Sequence, residues 1–174
     1  MTKELFDRLT RWTKASIFLP KRDPWLTSVL QGVGRLDVTL IGQTPLIEEN
    51  FRRQQMIPPR VSDAEIVQFA DYVYQNFLWV LAGYEFIRTL DQICREETGI
   101  SVTRKDSINA SKRQMERVRV PLAKLEVAHR FPDDSRIAVP GWQPGKGAGW
   151  LVNESTVILR IDLSDAMLSA LETG

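Results

Sequence analysis

The amino-acid sequence predicts a mainly α-helical protein of the α+β class, in which a long buried central helix is packed in a helical bundle. Two observations carry this prediction. Apolar residues recur at helical spacing through a stretch without proline, between residues 62 and 99. Alternating apolar and polar residues beside turn-forming residues, from 150 to 161, predict a small antiparallel β element near the C-terminus.

The central helix has sequence signals at both ends. Ser62-Asp-Ala-Glu65 is a capping box, in which the first and last side chains bond each other's backbone N–H groups. Gly99 suits the left-handed residue that follows a helix. From Phe77 to Leu90 the apolar residues spread round the whole circumference. Because a helix that is apolar all round is usually buried all round, this segment is expected to be covered on every side.

Length and composition indicate one globular domain over residues 1–174. We expect N-terminal helices and one candidate strand in 1–60, a central helical hairpin in 62–130, and a β-hairpin with a terminal helix in 137–174. The single cysteine excludes an intrachain disulfide and favours a reducing compartment. The most apolar window contains charges and is too short to cross a bilayer. The sequence therefore predicts a cytoplasmic protein with no membrane partner.

Three elements are predicted before the central helix. Residues 3–18 have the apolar and charged faces of an amphipathic helix, which the following prolines should end in a turn. Residues 35–41 alternate apolar and polar side chains and predict a strand, with a short helical turn as the alternative. Thr44 and Pro45 are suited to the N-cap and first position of another helix, which Pro58-Pro59 should close.

A long polar helix is predicted after the central one, over residues 104–119, with Ser101 or Thr103 as its N-cap. Pro121 should kink it or restart it, because a proline removes one helical hydrogen bond and clashes with the preceding turn. One to two further turns are then expected, ending before Pro132.

The last part of the chain has a different pattern. Residues 141–149 contain four glycines and predict a loop. Residues 150–152 and 156–161 flank a turn and predict a β-hairpin. Ser164 is the expected N-cap of a short terminal helix.

Two charges in the apolar centre of the long helix mark the first candidate site. Glu85 and Arg88 can pair on one helix face, and each would be costly to bury alone. One interpretation is a buried ion-pair network that fixes how two helices cross. The other is a polar pocket for an anionic or amide-containing ligand. The residues assigned to this network or pocket are Tyr84, Glu85, Arg88, Arg119, Lys124, Glu126 and His129.

Two further surfaces are candidates for partner binding. A basic run on the polar helix could contact nucleic acid, although charge runs are usually solvated faces. Its residues are Arg104, Lys105, Lys112, Arg113 and Arg117. Trp142 and Trp150 flank the glycine-rich stretch and would form a partner-binding tip if they were exposed.

Known catalytic patterns do not match this sequence. His129 and Cys94 are the sole histidine and cysteine, and neither lies in a nucleophile or metal-ligand motif. Pro140 to Gly147 resembles a phosphate-binding loop but has the wrong residues at its key positions. No catalytic residue, metal or cofactor is therefore assigned. The favoured function is a non-catalytic interaction or regulatory protein of the cytosol, with a protein partner or a homo-oligomer. The alternatives are nucleic-acid binding by 104–119, or a small-molecule-binding protein or enzyme with a polar pocket around Glu85, Arg88 and Arg119.

Overall fold

The computed structural model describes residues 1–19, 23–55 and 62–173. Within these ranges there are five helices, and three short strands lie between the fourth and the fifth. The predicted mainly α-helical fold with a small antiparallel sheet is confirmed. The elements are α1 (Lys3–Ile17), α2 (Pro24–Gln54), α3 (Asp63–Glu96), α4 (Val102–Lys124), β1 (Val139–Gln143), β2 (Gly147–Leu151), β3 (Val157–Leu159) and α5 (Arg160–Glu172).

The predicted central helix is α3, which has 34 residues and begins with the capping box formed by Ser62 and Glu65. It packs against α2 and α4, and Trp79, Val80 and Ile87 are fully buried. The expectation that α3 is covered on every side is wrong. One stripe of the helix, which includes Leu78 and Ala82, faces solvent along its length.

Residues 35–41 lie in the middle of the 31-residue helix α2, so the predicted strand is wrong. A strand would place Asp37 on one polar face with Arg35 and Thr39. The structure instead buries Asp37 on the same helix face as Val33 and Leu40, at helical spacing.

The predicted helix start at Thr44-Pro45 is also wrong, because both residues lie inside α2. Thr44 Oγ1 donates to the carbonyl of Leu40 at 2.9 Å, as a hydroxyl within a helix does. The predicted turn after α1 falls partly on residues 20–22, and the predicted close at Pro58-Pro59 falls within 56–61. Both lie outside the described residues.

Helix α4 begins at the predicted cap, since Ser101 Oγ accepts the N–H of Arg104 at 3.2 Å. It continues through Pro121 and ends at Lys124, where Leu125 takes the left-handed conformation (φ 56°). Of the one to two further turns predicted after Pro121, about one forms, over residues 121–124, and the helix does not extend beyond it. Pro121 lies in the last turn, where its missing N–H removes one helical hydrogen bond, the one to the carbonyl of Arg117.

The predicted hairpin is formed by β2 and β3, and the glycine-rich stretch before it is structured rather than a loop. Strand β1 pairs antiparallel with β2, with Trp142 opposite Ala148 and Pro140 opposite Trp150. The sheet order is β1-β2-β3. Helix α5 starts at Arg160, directly after β3, so the prediction that Ser164 caps it is wrong.

A buried ion-pair network joins the helices through Asp37, whose side chain is fully buried. From α1, Arg8 Nε and Trp12 Nε1 donate to Asp37 Oδ2 at 2.5 and 2.8 Å. From α5, Ser164 Oγ donates to Oδ1 at 2.7 Å, and Arg160 also donates to this oxygen. The Arg160 guanidinium lies 5.3 Å from the centre of the Trp79 ring, which brings α3 into the same cluster.

The protonation of Asp37 depends on these partners. Burial by itself would raise the pKa of Asp37, but the charges of Arg160 and Arg8, with hydrogen bonds from Arg8 and Ser164, hold that pKa below its usual value. A carboxyl with a lowered folded-state pKa contributes stability above its unfolded pKa of about 3.9. That contribution is lost as the pH falls through the folded-state pKa.

We therefore expect Asp37→Asn to lower the free energy of unfolding by about 3–5 kcal/mol, because two buried arginines lose their compensating charge. Asp165→Asn is the matched control, since Asp165 also pairs with Arg8 but is exposed. It should cost no more than about 1 kcal/mol. Urea denaturation at pH 7 measures both values. Repeating it below pH 4 should show a larger loss of stability in the parent chain than in Asp37→Asn, which keeps other carboxyls of lowered pKa such as Asp91 and Asp134. Equal effects of the two variants would contradict a central role for Asp37.

Candidate functional site

The structure brings four of the predicted network residues together at the surface. Arg88 Nε and Arg119 Nη2 donate to the two carboxylate oxygens of Glu85 at 2.9 and 3.1 Å. The Arg119 guanidinium lies 5.0 Å from the centre of the Tyr84 ring. Burial, and then the charge of Glu116, raise the pKa of Tyr84. The predicted pairing of Glu85 with Arg88 is therefore present, and Arg119 joins it from α4.

The predicted burial of this pair is wrong, because the side chains of Glu85 and Arg88 are 47% and 50% exposed. They lie on the solvent-facing stripe of α3, where water solvates them and no buried partner is needed. Lys124, Glu126 and His129 are exposed at and beyond the end of α4. Their side chains make no hydrogen bond or ion pair with any residue in the described ranges, so these three do not extend the cluster.

The basic residues of α4 are used mostly in contacts within the chain. Lys112 Nζ lies 2.5 Å from Asp91 Oδ2 on α3, and Arg117 donates to both carboxylate oxygens of Asp134 at 2.6 and 2.8 Å. The hydrogen bonds from Arg117 outweigh burial and hold the pKa of Asp134 below its usual value.

The other three residues of the basic run differ in their surroundings. Arg104 donates to the Phe18 carbonyl at 3.0 Å, and Lys105 to that of Glu97 at 3.5 Å. Arg113 is exposed. Because four of the five basic side chains bond to other parts of the chain, they give no support to a single nucleic-acid-binding face.

The two tryptophans predicted to form an exposed tip instead line a cavity. Trp150 is buried, and Trp142 is half-buried with its ring 5.7 Å from that of Tyr72. The cavity has a volume of about 340 Å³. It is bounded by α2, α3, β1 and β2, and its lining residues are Phe51, Phe69, Val73, Pro140, Gly141, Trp142, Ala148, Gly149 and Trp150.

A second feature, which the sequence interpretation missed, is an uncovered apolar surface on the first half of α3, called here the α3 apolar face. It extends for about 24 Å along the helix axis. Its residues are all exposed or half-buried: Ile66, Val67, Ala70, Tyr74, Phe77, Leu78, Leu81 and Ala82. Tyr74 is 60% exposed and Val67 is 59% exposed, whereas the polar residues Glu85, Arg88 and Gln92 continue the same stripe.

One signal in the sequence could have located this face. Asp71, Glu85, Arg88 and Gln92 all project to the same side of an ideal helix. The side of the helix on which these four residues lie is expected to face solvent. The apolar residues that project to the same side must then be exposed as well.

Comparisons with known proteins return no match: no family model, no curated protein and no solved structure is similar to this chain. In the described ranges, no group of three His, Cys, Asp or Glu side chains is placed to hold a metal ion. None of the helices in these ranges is both long and apolar enough to span a membrane. The α3 apolar face and the aromatic cavity are therefore the features on which a function can be argued.

The buried thiol of Cys94 provides an internal reference for the exposure of the α3 apolar face. Burial, the largest effect, raises the pKa of Cys94. We expect Leu78→Cys to add one thiol that reacts with Ellman's reagent at least 100-fold faster than Cys94, because a thiol in water forms the reactive thiolate more readily. Val80→Cys, on the buried side of the same helix, should add no fast-reacting thiol. A slow reaction at position 78 at low protein concentration would show that the face is covered.

Proposed function

We propose that this chain is a non-catalytic interaction protein that binds another helix through the α3 apolar face. The observation that carries the proposal is the contrast along one exposed stripe, which is apolar from Ile66 to Ala82 except for Asp71 and is polar from Glu85 onward. Soluble proteins seldom leave a large contiguous apolar patch in water, and such patches commonly mark interaction sites. A long straight apolar ridge suits a helix as its partner, since helices pack along their ridges and grooves.

Two exposed charges on the same stripe, Asp71 and Arg88, favour a second copy of this chain as the partner. Asp71 lies as far before the midpoint between Trp79 and Val80 as Arg88 lies after it. In an antiparallel pair of α3 helices with a two-fold axis at that midpoint, each Asp71 is level with Arg88 of the other copy. Such an interface is isologous, so one complementary pair occurs twice.

The same axis fits the apolar residues. Leu78 and Leu81 are also equally spaced about the midpoint, so each leucine would be level with the other leucine of the second copy. At about 100° per residue, Asp71 projects toward one edge of the exposed stripe and Arg88 toward the other. In this arrangement Asp71 of one copy and Arg88 of the other stand at the same height on opposite edges of the interface, so they attract across the apolar side chains without forming an ion pair.

The proposed location is the cytoplasm, where thiols stay reduced. It is supported by a lone cysteine that is buried and unpaired.

Charge reversal tests the register of the proposed dimer. We expect Asp71→Arg and Arg88→Asp each to weaken self-association about tenfold or more, because each turns two attractive pairs into repulsive ones. An equimolar mixture of the two variants should associate again, since one chain supplies two basic groups and the other two acidic groups at matching heights. Sedimentation equilibrium at low ionic strength measures all three samples, because salt screens exposed charges.

Arg113→Asp is the matched control, since it reverses an exposed arginine on α4 and should leave association unchanged. A parent chain that stays monomeric at every concentration would contradict the second copy as partner. Binding of a Leu-rich amphipathic helical peptide by that monomer, with loss of binding in Leu78→Lys, would still support the interaction function. Absence of both self-association and peptide binding would contradict the proposed function as a whole.

A further inference from the structure

We infer that one end of the helical bundle binds the surface of a lipid bilayer that carries anionic headgroups. The contact is made by four exposed apolar side chains, called here the end patch: Ile17, Phe18, Trp25 and Val102. The end patch is separate from the α3 apolar face, since about 20 Å of helix lies between Ala82 and the end of α3. The inference does not depend on the proposed self-association.

The four side chains come from the ends of three helices that meet at the same end of the bundle. Phe18 follows α1, and its carbonyl accepts from Arg104 Nη2 in the first turn of α4 at 3.0 Å. Thr27 Oγ1, in the first turn of α2, lies 3.4 Å from the carbonyl of Ser16. The end of α1 is therefore in contact with the starts of both α2 and α4.

The aromatic residues of the end patch are held in water by a well-formed helix start. Trp25 and Phe18 are 74% and 69% exposed. Asp23 Oδ1 accepts the N–H groups of Trp25 and Leu26 at 2.7 and 3.2 Å, which sets where α2 begins. Leu26 then packs against the core, whereas Trp25 projects into solvent. Single exposed apolar residues are common, but a group of four at one end of a bundle is typical of an interaction site.

Basic side chains lie beside the end patch. Lys14 is exposed and lies on the same face of α1 as Ile17 and Phe18, three and four residues before them. Arg104 and Lys105 donate to main-chain carbonyls and form no ion pair within the described ranges.

The sequence around the end patch is basic on balance. Residues 14–25 carry three basic side chains and one acidic, and residues 95–106 carry three of each, so the two segments together have a net charge of +2. An anionic surface complements this charge.

A bilayer surface suits this combination better than a single peptide does. The end patch extends over several helix ends, so a broad, flat partner can contact all four side chains at once. Aromatic rings are favoured at the level of the lipid headgroups, and lysine and arginine attract anionic lipids. The prediction of no membrane partner rests on the lack of a spanning segment, and contact confined to the surface requires none.

Vesicle binding by the full chain tests this inference. Sucrose-loaded vesicles of phosphatidylcholine and phosphatidylserine, in a ratio of about three to one, are sedimented with the protein and compared with vesicles of phosphatidylcholine alone. We expect the partition coefficient to be about tenfold higher with the anionic vesicles at low ionic strength, because each basic residue near the surface adds to the attraction. Added salt should reduce this difference, since it screens the charges.

Tryptophan fluorescence shows which side chain enters the bilayer. Brominated phosphatidylcholine quenches an indole that reaches the lipid, and Trp12, Trp79 and Trp150 are buried in the protein. We therefore expect quenching in the parent chain that is largely lost in Trp25→Phe, although this variant keeps an aromatic ring and should still bind.

Matched variants on α1 locate the contact. Phe18→Ser should weaken partition into the anionic vesicles about tenfold, because one apolar side chain no longer enters the bilayer. Phe6→Ser makes the same change on an exposed residue at the other end of α1 and should have no effect. Lys14→Glu should also weaken partition, whereas Lys3→Glu, again at the other end of α1, should not.

The inference is overturned if the parent chain does not sediment with the anionic vesicles or if Phe18→Ser binds as tightly as Phe6→Ser. It is also overturned if brominated lipid quenches the parent chain and Trp25→Phe equally. Self-association without lipid that is lost in Phe18→Ser but kept in Phe6→Ser would assign the end patch to a second copy of this chain, which would overturn it as well.

Discussion

The buried carboxylate of Asp37 constrains how the helices of this protein can meet. It lies on α2, whereas the side chains that neutralise it come from α1 and α5. An unpaired carboxylate at this depth would cost several kcal/mol, so the two outer helices must stay where their donors reach it. Because Arg160 also lies over the Trp79 ring, the position of α3 is tied to the same cluster. Hydrophobic burial supplies most of the stability of such a core, but the directional bonds to Asp37 select one arrangement of it.

Smaller ionic contacts of the same kind attach the other elements. Asp91 on α3 accepts from Lys112 and Asn109 on α4, and the pKa of Asp91 is lowered because these bonds outweigh the effect of burial, which alone would raise it. Asp134 joins Arg117 of α4 to Asn153 at the turn before β3. Two acidic residues of α3, Asp91 and Glu85, are thus paired with two basic residues of α4, Lys112 and Arg119. This explanation accounts for a basic helix without requiring a nucleic-acid partner.

The parts of the fold that depend on local chemistry could be predicted from the sequence. The capping box at Ser62 is predictable, and the N-cap of α4 is narrowed to Ser101 or Thr103, because a cap and its N–H partner lie within one turn. Residues 35–41 were misinterpreted because the polar Asp37 resembled a solvent-facing strand position. Its partners, Arg8 and Arg160, lie far away in the sequence, so no local pattern could show that this carboxylate is buried. The cavity was missed for the same reason, since strands and helices distant in sequence build its walls.

Interpreting Glu85 and Arg88 as buried charges hides the α3 apolar face for a related reason. Charges within an apolar window suggest a buried pair, but less free energy is lost when that side of the helix remains in water. If the side of α3 that carries Glu85 and Arg88 lies in water, the apolar residues that project to that side between Asp71 and Glu85 must be exposed too. The Asp37 cluster explains why they stay uncovered: it holds α1 against α2 and α5, and α4 lies along another side of α3. No helix in the described ranges is then left to cover the α3 apolar face.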